Sequence, residues 1–311
     1  MLVLLSYVLF FGWLAFTRLG HSFFDGVSAV HSRGSVWGQW EWFRARRKRK
    51  AYFGYAEGSA ERAASLLPWL GRDVRALLVK DARMFWRDTT QWGQAVMLFG
   101  LLGVYIINLR HFTHQLSNQF WVNLVSYLNL GACSLNLATV TTRFVYPQFS
   151  LEGQRLWIIG MAPMGLARVV KTKYWLGSCA SLAVTLSLIT LSCHLLNMTW
   201  DRQLFFGAVV TLMTFTLNGL AVGLGILYPN LKETNPGKIV SGFGGTFCLV
   251  LSFLYILGSV LLLAVGSAGL HLRATSPYLA LLGVTGFALL SAALGWLPLK
   301  LGLRRLKQFE C

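Results

Sequence analysis

Apolar residues gather into seven stretches, at about 2–17, 92–109, 120–141, 174–196, 204–227, 239–265 and 279–297. Roughly 20 mostly apolar residues in a helix cross the ~30 Å hydrocarbon layer of a bilayer. None of the seven stretches holds an Asp, Glu, Lys or Arg. The pattern therefore predicts an all-α, polytopic membrane protein of about seven transmembrane helices, one followed by a group of six.

Two polar segments carry a pattern of their own. In 66–88, Leu66, Leu70, Val74, Leu77, Leu78, Met84 and Phe85 recur at helical spacing, and Arg72, Asp73, Arg75, Lys80, Asp81, Arg83 and Arg87 occupy much of the rest. This predicts an amphipathic helix that lies in the membrane interface, because it is too charged to span. In 142–173, Leu151, Leu156, Trp157, Ile159 and Met161 suggest a short helix resting on the membrane or on a partner and ending near Pro163. The predicted organisation is a first transmembrane helix (1–17), a basic linker (18–65), an interfacial connecting helix (66–91) and a six-span domain (92–311).

Charge fixes which side is which. The chain has 28 Lys+Arg against 11 Asp+Glu, a formal net charge of +17, yet 55% of it is hydrophobic. That hydrophobicity excludes a disordered chain, and the apolar runs exclude a soluble basic nucleic-acid binder. If 18–91 is cytoplasmic, the inside segments hold 14, five, two and four basic residues. The outside segments hold only Arg110, Arg202 and Arg273. An asymmetry of 25 to three is the positive-inside signature, with the N-terminus out and the C-terminus in. The dense run at 44–50 then orients the chain and touches the anionic lipid bilayer, not nucleic acid. Residues 1–16 lack a basic leader and a small-residue cleavage site. They read as an anchor inserted N-out, or as the tail of something longer whose start is missing.

Enzyme chemistry is sparse. No GxxxxGK[ST] phosphate loop occurs, and Gly237-Lys238 lacks both the earlier glycine and the following hydroxyl. No carboxylate pair sits within the apolar stretches, so no acid/base couple or proton relay is indicated. His111 and His114 have metal-pair spacing without acidic or cysteine companions, and the five cysteines show no paired spacing. No catalytic, cofactor-binding or metal residue is assigned. Asn123, Asn129, Asn136 and Asn218 fall within predicted spans and are candidates for a substrate path, with interhelical hydrogen bonding as the plainer reading. Gly219-x-x-x-Gly223 reads as close helix packing.

The stretches KDARMFWRDTTQW (80–92), SLEGQRLWIIGMAP (150–163) and YPNLKETNPGKIVSGFGG (228–245) resemble the permease subunits of bacterial ABC exporters of the ABC-type-2 class. The resemblance covers about 66–311. It implies a membrane-spanning permease, not an enzyme, that exports an unknown substrate by alternating access. ATP would be bound by a separate cytoplasmic ABC ATPase subunit, so this chain would hold no cofactor. Residues 150–163 would be the coupling helix, and Leu151, Glu152, Gly153, Arg155, Trp157, Glu233, Asn235 and Pro236 would face or shape the junction with that ATPase. The implied location is the bacterial inner membrane. Relatives of this kind have a longer N-terminal half, so a second permease half or a homodimeric partner is expected. An ion-coupled secondary carrier is the alternative; it calls for ionisable residues at mid-membrane depth, and the apolar stretches contain none.

Overall fold

The computed structural model describes residues 71–87, 91, 93–100, 102–104, 119–155, 165–196, 198–233, 235–271 and 277–306. All of them belong to the unit Pro68–Cys311. The predicted first span and the basic linker lie outside the described residues, as do His111 and His114.

The protein is an all-α polytopic membrane protein, and the described residues form no strand. Helix α1 is Arg72–Arg87, α2 Gln119–Val140, α3 Gly165–Leu195, α4 Trp200–Leu227, α5 Pro236–Ser241, α6 Phe243–His271 and α7 Pro277–Leu306. Five segments are long and apolar enough to cross a membrane: Leu124–Gly153, Gly165–Leu195, Trp200–Leu227, Phe243–Gly266 and Leu281–Leu306. A shorter apolar helix, Gly93–Val104, falls within the predicted 92–109 span.

The helices outrun the apolar stretches that announced them, α3 and α7 by the most. α3 starts at Gly165, nine residues before the predicted 174, and carries Arg168, Lys171 and Lys173 in its first turns. α7 continues past 297 through Pro298 to Arg304 and Arg305. Charged residues end a hydrophobic stretch without ending a helix, since long basic side chains reach to the polar boundary. The pairings below show α2, α4 and α7 running toward one end of the bundle and α3 and α6 away from it. That end carries Lys173, Lys238, Lys300, Arg304 and Arg305 and is called the basic end.

α4 is the central helix, with an unbroken buried run from Thr216 to Ile226. Lipid tails are as apolar as leucine, so helices in a membrane associate through close packing and hydrogen bonds more than through burial. α4 meets that demand with glycines. A Cβ on Gly219 would stand 2.5 Å from Gly295 O of α7, and one on Gly223 2.4 Å from Pro298 C. The Gly219/Gly223 pair is therefore helix packing, as its spacing indicates.

At the basic end α2 does not simply stop. It passes into a π-helical turn, Thr141–Val145, then into 3₁₀ turns at Tyr146–Gln148 and Ser150–Arg155. Pro147 has no N–H to give, so the α-helical ladder breaks here. The short helix expected from residue 150 is a 3₁₀ turn as far as Arg155, with its backbone reversed at Gly153 (φ 50°, ψ −130°). Residues 156–164, including Trp157, lie outside the described residues.

Candidate functional site

Four charges meet where α1, the Ser150–Arg155 turn and α3 converge. Glu152 is 8% exposed, and its carboxylate accepts hydrogen bonds from two lysines. Lys173 Nζ of α3 donates to Oε1 at 2.5 Å. Lys80 Nζ of α1 donates to Oε1 at 2.6 Å and to Oε2 at 2.8 Å. Asp81 lies 3.8 Å from each ammonium, and Lys173 also donates to the Gln148 carbonyl. Ionised, the two lysines and two carboxylates sum to no charge. A buried ion is tolerated only when it is paired and hydrogen-bonded, and this arrangement supplies both. The two carboxyls differ in setting. Glu152 holds the direct bonds, whereas burial pushes the Asp81 carboxyl above its ordinary value despite the pull of Lys173 and Lys80.

The helical register explains how Lys173 comes to be buried. Leu166, Val169, Val170, Lys173 and Ser178 share the buried face of α3, so a lysine occupies a position that helical periodicity reserves for an apolar residue. That misfit is legible in the sequence. Its partner Glu152 is not, because it lies 21 residues away, and Lys80 lies 72 residues from Glu152.

The two turns at this end are joined. Ser150 Oγ accepts from the Asn230 backbone N–H at 3.1 Å, and the Tyr146 hydroxyl donates to Tyr228 O at 3.2 Å. Gly153 faces Leu231 O, which would lie 3.4 Å from a Cβ at that position. Leu151 packs against the core. Asn235 caps α5: its side chain accepts from Gly237 N–H at 2.9 Å, and Pro236 follows at the first helical position. Asparagine before proline is a favoured helix start, since it satisfies a free amide and the proline has none to satisfy. Glu233 pairs with Lys238 at 3.9 Å in the open, a contact worth at most about 1 kcal/mol.

The candidate path residues divide. Asn129 (1% exposed) accepts from Ser192 Oγ of α3 at 2.8 Å and from Cys133 Sγ at 3.9 Å. Asn218, fully buried on α4, donates through Nδ2 to Ser181 Oγ of α3 and to Thr214 O, both at 2.8 Å. Thr185 and Thr214 meet at 3.4 Å one turn farther along. Asn136 is half-buried, and its Nδ2 has no protein partner. The side chains of Asn123 and Arg155 lie outside the described set. The structure thus brings Asn129 and Asn218 onto one polar seam down α3. It also places Glu152 at the foot of that seam, held inward by two lysines.

A bundle of spanning helices with a polar seam and a charged joint at one end defines a multi-pass membrane protein with an internal hydrogen-bonding line. The family model described as "Putative ATP-binding cassette" matches residues 1–311, and the chain belongs to that family. The match takes in the first 65 residues, which the motif resemblance left out. The family's name points to the nucleotide-binding component of ABC systems, and it sets the chain in an ABC transporter context. No curated protein and no solved structure matches the chain.

Proposed function

We propose that the chain is the membrane-spanning permease subunit of an ABC transporter and is driven by a separate ATPase subunit. The observation that carries this reading is the combination of five spanning helices with membership of an ATP-binding-cassette family, in a sequence without a phosphate loop. In this reading the ATPase docks at the basic end, against Leu151, Gly153, Arg155, Trp157 and the Glu233–Pro236 turn. Glu152 acts through its lysines rather than by touching the partner. A push on the Ser150–Arg155 turn moves Glu152, which is bonded to Lys173 at the foot of α3 and to Lys80 on the interfacial helix. The substrate path follows the α2–α3–α4 seam past Asn129 and Asn218, with Asn123 and Asn136 on the α2 side. In this reading the basic end faces the cytoplasm and the N-terminus lies outside, which the 25-to-three distribution of basic residues supports, and the bacterial inner membrane follows from the resemblance to ABC-type-2 exporters. Transport outward, and a second permease half or second copy to complete the pathway, follow from the resemblance to ABC-type-2 exporters.

The test is purification of the tagged chain from its native membrane, followed by ATP-driven transport in inside-out vesicles. Recovery of a nucleotide-binding subunit is the expected result, with its loss when Leu151 and Trp157 are replaced by Asp. A chain that comes out alone and takes up solute on an ion gradient would establish the secondary carrier instead.

A further inference from the structure

One face of α7 is marked at both ends by an exposed aromatic ring, Tyr278 and Trp296. The step of 18 residues from one to the other makes about five helical turns and about 27 Å. The two rings therefore share a face and stand close to one hydrocarbon thickness (~30 Å) apart, each at the level where aromatic side chains meet lipid headgroups. Between them the same face carries Leu282 and Leu289, both exposed.

Two cations follow Trp296 at the basic end. Lys300 folds back onto that ring, with Nζ 4.1 Å from its centre. Arg304 comes one turn later and is exposed. Helical side chains lean toward the N-terminus of their own helix, so both reach back toward the bilayer rather than away from it. Among the described residues neither forms an ion pair. α7 contains no Asp or Glu, and neither do α3 and α6 packed against it. The one acid of α4, Asp201, lies in its first turn, at the opposite end of the bundle. Arg305 is engaged elsewhere, since it donates to Leu227 O at 2.5 Å.

We propose that this face of α7 holds a phospholipid with a net negative headgroup, its phosphate between Lys300 and Arg304 and its acyl chains along Trp296, Leu289 and Leu282. A guanidinium matches phosphate oxygens with a fork of donors, and an ammonium beside it adds a point charge. A zwitterionic headgroup brings an ammonium of its own, and neither α7 nor the neighbouring helix ends offer it a carboxylate. An anionic headgroup leaves both protein cations matched. The proposal rests on the membrane fold and not on what drives transport.

Native mass spectrometry of the full-length protein in detergent, titrated with dioleoyl phosphatidylglycerol or dioleoyl phosphatidylcholine, tests it. The wild type should bind its first phosphatidylglycerol severalfold more tightly than its first phosphatidylcholine. Lys300→Gln with Arg304→Gln should abolish that preference, whereas Lys300→Arg with Arg304→Lys, which keeps both charges, should retain it. Lys232→Gln with Lys238→Gln removes the same charge from exposed positions elsewhere at this end and should also retain it. An equal loss in both glutamine pairs means diffuse attraction to a basic surface and overturns the site, as does an undiminished preference in K300Q/R304Q. A wild type that flies as a dimer, and comes apart in K300Q/R304Q with its lipid adducts unchanged, puts a second copy on this face and overturns it too.

Discussion

Lys173 Nζ sits 2.5 Å from Glu152 Oε1, and both side chains are 8% exposed. Removing one partner of a buried pair leaves the other charge desolvated and alone, at a cost of about 3–5 kcal/mol. Glu152→Ala is expected to lower stability by that order, and Lys173→Met on its own by less, since Lys80 still bonds both oxygens of Glu152. The double variant should lose much less than the two single losses added together, because no orphan charge remains. Thermal unfolding of the four proteins in detergent measures the coupling, and additive losses would show that the pair is not the joint. Lys80 is 38% exposed, so Lys80→Ala should cost only about 0–1 kcal/mol.

Asp81 should behave in the opposite way to Glu152, although both face the same lysines. Burial raises the Asp81 carboxyl above its ordinary value, so the folded protein holds that proton more tightly than the unfolded chain. Such a group makes stability fall as pH rises from about 3.9, the ordinary aspartate value, through the raised folded value. Above that value the loss is complete. Asp81→Asn removes the slope and at neutral pH should melt no lower than the wild type, whereas Glu152→Gln melts well below it. Melting curves of the three proteins from mildly acid to neutral pH check this. A D81N loss as large as that of E152Q would refute it.

The spans were legible because a membrane helix needs an apolar run, and five of the seven stretches correspond to spanning helices among the described residues. The ends were less legible. Arg168, Lys171 and Lys173 read as the polar margin of a span, yet they lie in the first turns of α3. The Gly219/Gly223 contact was readable because its signal is local. The bonds of Glu152 were not, because they join segments far apart in sequence, and an acidic residue in a polar segment looks alike whether it faces water or a buried lysine. The same holds for Asn218: its place within a predicted span suggested an interhelical hydrogen bond, but not its partner, Ser181 on another helix.

Gly153 holds the turn in a conformation that only glycine adopts readily, with φ 50° and ψ −130°. A side chain there is strained by about 1–3 kcal/mol, while its Cβ would only touch Leu231 O, at 3.4 Å. Gly153→Ala is therefore expected to loosen the seam between the two turns before it unfolds the bundle. Hydrogen exchange at Asn230, whose amide bonds Ser150 Oγ, should quicken while the amides of α4 stay protected. Uniform exchange across both regions would argue against a local role.

The α4–α7 contact sets a sharp steric limit between two spanning helices. A Cβ on Gly223 would fall 2.4 Å from Pro298 C and 2.6 Å from Leu299 N, and these are backbone atoms that cannot swing aside. Even Gly223→Ala must push α7 away, and overpacking of this kind costs about 1–3 kcal/mol or more. Gly258 on α6 is the matched control, since a Cβ there meets nothing within 4 Å. Gly258→Ala should be neutral or gain up to about 1 kcal/mol from helix propensity. Size-exclusion profiles and melting temperatures in detergent separate the two: G223A should lose monodispersity or melt lower, and G258A should match the wild type. Equal tolerance at both sites would show that α4 and α7 do not approach this closely.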